Sequence, residues 1–133
     1  MLIILIFKKT IQTLERPDIP TQVLVRTLCK KPGLKDNNFH VIKLKLEAVK
    51  YLAEKSDFSK RSAEYVINDV VDKLSDAKNG SVTTETLTAI AESTSLDFVA
   101  IQVTDFAMGQ KNPKVQAEAL IWLSNAIKEF GFV

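Results

Sequence analysis

Three stretches of this chain carry apolar residues at helical spacing, and that spacing constrains the fold more than any other feature. Ala63, Val66, Ile67, Val70 and Leu74 step by 3, 1, 3 and 4 residues. Such steps put all five on one face of an α-helix. Phe39, Ile42, Leu46, Val49 and Ala53 form a second stripe, and Val115, Ala119, Trp122, Leu123, Ala126 and Phe130 a third. No segment alternates with the period of two that a half-buried strand requires. The pattern therefore predicts an all-α chain.

Short polar turns punctuate the stripes and predict helices near 3–16, 20–31, 37–55, 60–75, 82–94, 97–109 and 113–130. Asn112-Pro113 is the best helix start in the chain. The Asn side chain can accept from free N–H groups of the first turn, and Pro at the first helical position lacks an N–H that would otherwise go unpaired. Pro20 can open a helix in the same way.

The second helices of successive hairpins align as Leu46-Glu-Ala-Val49, Leu87-Thr-Ala-Ile90 and Leu120-Ile-Trp-Leu123, at offsets of 41 and 33 residues. Those offsets fall among the helical-hairpin solenoids. Their unevenness fits loosely periodic HEAT-like repeats better than tetratricopeptide repeats. A single hairpin cannot cover its own apolar stripe, so neighbours stack. The expected architecture is an α-solenoid of HEAT-like helical hairpins, an α-α superhelix. The expected division is the end of a truncated repeat at 1–16, then repeats at 20–55, 59–94 and 96–133.

A length of 133 residues suits one domain. A net charge of +2 lacks the basic surplus of a general nucleic-acid binder, so none is expected as partner. The apolar start at 1–7 is far shorter than the roughly 20 residues of a membrane span. Its lysines, Lys8 and Lys9, follow the apolar run, whereas a secretory signal carries its positive charges first. The reading is cytoplasmic, with no membrane partner.

Catalytic chemistry finds no foothold. His40 is the only histidine and Cys29 the only cysteine, so no His/Cys metal-ligand spacing exists. Lys-Asn-Gly at 78–80 is a lone turn signal and no phosphate-binding loop. The expectation is a non-enzymatic binding module with no catalytic residue, metal or cofactor. Cys29 reads as a buried inert thiol, His40 as a structural or surface residue and Trp122 as core.

The turns are more informative. Those within hairpins, at 30–36, 76–80 and 110–114, hold six lysines against two aspartates, a net of +4. Those between hairpins, at 16–18, 55–61 and 93–97, net only +1. A solenoid gathers each set along one edge, making one edge somewhat basic. Lysine-rich turns can simply be solvated. Alternatively, loops held at fixed spacing by a rigid scaffold can dock an acidic partner.

Several stretches together resemble a known family: Gln-Val-Leu-Val-Arg-Thr-Leu at 22–28, Lys-Lys-Pro-Gly at 30–33, Asn38-Phe39, Phe-Ser-Lys at 58–60, Thr-Ala-Ile-Ala-Glu at 88–92, Gln-Lys-Asn-Pro-Lys at 110–114 and the run 122–132. The chain resembles the TOG domains of the microtubule polymerases, the cytoskeleton-associated proteins, and most closely the third TOG domain of animal members. The resemblance implies a paddle of HEAT-like repeats whose within-repeat turns bind the curved α/β-tubulin heterodimer at microtubule plus ends. Other spindle or centrosome proteins are further candidate partners, and the implied location is the cytoskeleton. Carried onto this sequence, the tubulin-facing residues are Lys31, Pro32, Gly33, Leu34, Lys35, Lys78, Asn79, Lys111, Asn112 and Lys114. The chain departs from the family pattern in two ways. It looks like a partial domain, holding only the end of the first repeat and none of the last two. Leu34 also stands where the Lys-Pro-Gly turn is expected to carry a Trp. The alternatives are a TOG-like scaffold that has lost tubulin binding and a HEAT/armadillo adaptor for another acidic protein.

Overall fold

The structure, a computed structural model, describes residues 9, 11–30, 33–36 and 38–130. Among them there is no strand. Among the described residues from Thr21 onward, seven α-helices follow one another: α1 (Thr21–Cys29), α2 (Phe39–Lys55), α3 (Lys60–Glu64), α4 (Ile67–Asp72), α5 (Gly80–Ser93), α6 (Leu96–Met108) and α7 (Pro113–Phe130). Half of the helix expected over 3–16 falls outside the described residues. In the described part the helical residues end at Gln12, earlier than expected, and a separate 3-10 turn, Arg16–Asp18, follows an extended Glu15, with Pro17 near its start.

The helix starts are chemically specified. Asn38 caps α2, its side chain accepting from the His40 and Val41 N–H groups. Ser59 caps α3 through the Ser62 N–H, and Ser95 caps α6 through the Phe98 N–H. Pro20 and Pro113 stand at the openings of α1 and α7. The Asn38, Ser59 and Ser95 side chains satisfy N–H groups that have no partner inside the helix.

The helix expected over 60–75 is broken into α3, α4 and a 3-10 turn, Lys73–Ser75. At the break, the Tyr65 and Val66 N–H groups bond three residues back, to Ser62 and Ala63, instead of four. The tightened turn keeps Ala63, Val66, Ile67, Val70 and Leu74 all buried. Consecutive β-branched residues lower the cost of leaving α geometry there.

The helices form two layers. In one, α1 packs on α3, and α4 on α6; in the other, α2 lies along α5. Between the layers runs one continuous apolar core, from Ile11 and Val25 through Leu46, Val49, Leu87 and Ile90 to Val103 and Trp122. Thr86 stitches α5 to α2 by donating its hydroxyl to the Leu46 carbonyl at 3.2 Å. The result is a HEAT-like helical solenoid, as the repeat spacing implied.

The register of the third hairpin is corrected. Leu120 is 56% exposed and Ile121 is exposed with it, while Ala119, Trp122 and Ala126 are buried. The core position matching Leu87 is therefore Ala119, one residue earlier than the sequence alignment placed it. The indole fills the inter-layer space, so a small residue suffices one turn before it. Phe39 also leaves its stripe, 37% exposed at the start of α2.

Candidate partner-binding edge

The first within-hairpin turn is built around Gly33, whose φ of +54° lies in left-handed space that only glycine enters at low cost. Leu34 plugs into the core at 2% exposure. From α2, Lys45 Nζ donates to the Gly33 carbonyl at 2.9 Å and sits 4.0 Å from Asp36. Asp36 Oδ1 accepts the Asn38 N–H at 2.9 Å, joining the turn to the α2 cap. Lys30 and Lys35 are left exposed. Lys31 and Pro32 lie outside the described residues.

The second turn folds on Asp76, whose Oδ1 accepts the Lys78 N–H at 2.8 Å and the Asn79 N–H at 3.1 Å. Asn79 is 1% exposed. Its Nδ2 donates to the Phe39 carbonyl at 3.2 Å, so the second turn is bonded to the helix start that follows the first. Lys78 is exposed, with its ammonium 4.0 Å from the Phe39 ring centroid.

In the third turn, Asn112 Oδ1 accepts the Lys114 N–H at 2.9 Å, and Gln116 Nε2 donates to the Gln110 carbonyl at 2.9 Å. Lys111, Asn112 and Lys114 are all exposed. Helix α7 packs against the Lys73–Ser75 turn that leads into the second turn, setting the two side by side.

The sequence-derived site residues thus divide by burial. Lys35, Lys78, Lys111, Asn112 and Lys114 face solvent. Gly33, Leu34 and Asn79 are buried and shape the turns from inside. The roles of Phe39 and Lys45 were not evident from the sequence. Phe39 reads as a core-stripe residue, and no local pattern marks Lys45 as the partner of a carbonyl 12 residues earlier.

The opposite edge is organised differently. Arg16 donates to the carbonyls of Ser56 at 2.9 Å and Glu54 at 2.8 Å, capping the C-terminal end of α2. The Thr21 hydroxyl donates to Ser56 Oγ at 2.8 Å. A groove of ≈ 710 Å³ opens beside these contacts, with Arg16, Glu54, Lys55, Asp57 and Glu92 among its walls. The two edges therefore differ in construction, and the within-hairpin edge is the more basic of the two. No group of three or more His, Cys, Asp or Glu able to hold a metal occurs among the described residues.

No family model matches the chain. Among curated proteins it is 45% identical over 113 residues to Protein mini spindles of Drosophila melanogaster, an alignment covering 84% of this chain. It is 30% identical over 128 residues, 96% of this chain, to Protein MOR1 of Arabidopsis thaliana. Centrosomal protein 224 of Dictyostelium discoideum is 31% identical over 113 residues, again 84% of this chain. Among solved structures, that of Drosophila melanogaster Mini spindles TOG3 superposes with a TM-score of 0.91 over 97% of this chain, at 40% identity. The chain belongs to the TOG-domain family. It matches a third TOG domain of an animal member and spans 58% of that solved chain. It spans 6% of the length of each of the three curated relatives. As a TOG-family chain it is a non-enzymatic helical-repeat module. No helix among the described residues is long and apolar enough to cross a membrane.

Proposed function

We propose that this chain is a tubulin-binding module of a microtubule plus-end polymerase, docking curved α/β-tubulin through its within-hairpin turns to promote microtubule assembly. The observation that carries the reading is the set of exposed lysines, Lys35, Lys78, Lys111 and Lys114, on turns pinned by side-chain-to-backbone hydrogen bonds. Pinned turns lose little conformational entropy on docking. Their positive charge steers and orients an acidic partner more than it adds raw affinity. The similarity to Mini spindles and its third TOG domain supports the same partner. In this reading the repeats run 20–55, 59–94 and 96–133 after the end of one at 1–16. The setting is the cytoplasmic microtubule cytoskeleton, including spindle and centrosome, where other proteins of those structures are further partners. Nucleic acid and membrane are not partners.

A second reading is favoured by Leu34. A buried aliphatic residue cannot serve as the exposed aromatic anchor that dominates many interfaces. On that reading the chain is a repeat scaffold or adaptor that has lost tubulin binding. Size-exclusion chromatography of the chain with soluble tubulin separates the two. Co-elution that weakens with salt supports tubulin docking. Separate elution at low ionic strength supports the scaffold.

A further inference from the structure

Phe39 occupies the first position of α2, on the register of that helix's apolar stripe, yet its ring is 37% exposed. What lies against it is polar. The Lys78 ammonium is 4.0 Å from the ring centroid. The His40 ring is 4.1 Å away, centroid to centroid, with the planes tilted by 34°. Phe39 also accepts, at its carbonyl, the Asn79 side-chain N–H. Two consecutive residues of the second turn therefore hold one residue of the neighbouring hairpin, Lys78 at the ring and Asn79 at the backbone.

The geometry points to Phe39 as the residue that positions Lys78, so that the ammonium is presented, already ordered, to carboxylates of an acidic protein surface. A lysine on an open turn spreads over many rotamers, and ordering it on binding costs affinity. A cation over an aromatic face is attracted to the ring quadrupole. That contact uses no hydrogen-bond acceptor, and an ammonium has three donors, so Lys78 can meet a carboxylate while it stays on the ring. Asn79 fixes the main chain beneath, with its own N–H and that of Lys78 taken by Asp76. The partner's identity rests on the tubulin reading above. The positioning of Lys78 does not.

The experiment has two arms on the full chain, with helicity checked for every variant. In the first, the Lys78 Cε–Hε resonances of 13C-lysine-labelled protein are assigned by their loss in Lys78→Arg. An upfield ring-current shift is expected in the native chain and in Phe39→Trp, and its loss in Phe39→Leu. In the second arm, affinity for soluble tubulin is measured. Phe39→Leu should weaken binding about two- to five-fold. Phe39→Trp should bind as the native chain does, and Phe39→Leu added to Lys78→Met should cost nothing beyond Lys78→Met alone. Unshifted Lys78 resonances in the native chain overturn the positioning. So does native affinity in Phe39→Leu, or additivity of the two substitutions. If the native chain does not bind tubulin, the proposed function fails with the presentation to that partner, and the ring-current shift alone decides whether Phe39 holds Lys78.

Discussion

Lys45 Nζ lies 2.9 Å from the carbonyl oxygen of Gly33 and closes the one turn, among the described residues, whose backbone enters left-handed space. A Cβ at Gly33 would meet only the Leu28 carbonyl oxygen, at 3.8 Å, so space is not the obstacle to a side chain there. The dihedral is. Gly33→Ala should cost roughly 1–2 kcal/mol of stability. Lys45→Met keeps the apolar stem but removes the donor to a part-buried carbonyl, and should cost about 2 kcal/mol. Both should lower the urea midpoint without changing the slope. A Gly33→Ala chain as stable as the native one would show that the turn can relax out of this geometry.

Trp122 is 3% exposed and donates its indole N–H to Thr88 Oγ1 at 3.2 Å, joining α7 to α5. Trp122→Ala should destabilise by about 3–5 kcal/mol through the cavity it leaves. Thr88→Val keeps the volume but leaves the indole N–H without its acceptor, and should cost about 1 kcal/mol. Trp122 is the only tryptophan, so its fluorescence reports this junction directly. Fluorescence and far-UV circular dichroism should follow one unfolding transition. An earlier fluorescence transition would mean that α7 detaches independently of the rest.

How much could be read beforehand follows from what each feature depends on. Helix content and hairpin order were legible because the stripes at 42–53 and 63–74 follow helical periodicity, a local property. The cap at Asn112 and the Pro-Gly turn before Leu34 were legible for the same reason, since their chemistry acts within a few residues; the Asn38 cap, equally local, was not read from the sequence. The register of α7 was not. Leu120 and Ala119 are both acceptable core residues by type, and only the packing of the Trp122 indole between layers decides between them. Nor could the sequence show that Asn79 faces inward. Its partner, the Phe39 carbonyl, is 40 residues away and belongs to another hairpin. Residue type identified a lysine-bearing edge, and tertiary contacts determine which of its members reach solvent.

Burial pushes the Cys29 thiol from 9.0 up to about 11, Asp69 adds in the same direction, and Lys45 offsets part of the rise. The thiolate is the reactive form, so labelling of the folded chain at pH 8 should be slow and should become fast in denaturant. The linkage has a definite sign. Between pH 9 and 11 the unfolded thiol has released its proton while the folded one retains it, so unfolding releases protons and stability falls as pH rises through that window. Cys29→Ala should remove this thiol's share of the decline. An unchanged slope between pH 9 and 11 in that variant would assign the alkaline loss to other groups.

The edge assignment meets its strongest test at the third turn. Lys111 and Lys114 are exposed and flank Asn112, whose side chain accepts the Lys114 N–H and fixes the start of α7. Neither belongs to the buried face formed by Val115, Ala119, Trp122 and Ala126, so charge reversal leaves the core intact. Single exposed ion pairs contribute under about 1 kcal/mol each. Reversing both residues, however, replaces two attractions by two repulsions. Lys111→Glu with Lys114→Glu should therefore weaken tubulin binding on the order of tenfold, chiefly through a slower association rate that salt suppresses. The control is Lys60→Glu with Arg61→Glu, on the opposite edge. Arg61 is exposed, and Lys60 stands 5.6 Å from the Phe98 ring centroid, so this pair carries the same formal charge without sharing the within-hairpin edge. Loss of that ring contact should lower stability by about 0.5–1 kcal/mol while tubulin affinity changes little. Equal losses of binding from the two double reversals would mean that net charge governs the interaction. A larger loss from the Lys60 and Arg61 pair would place the partner on the edge held by Arg16 and Ser56.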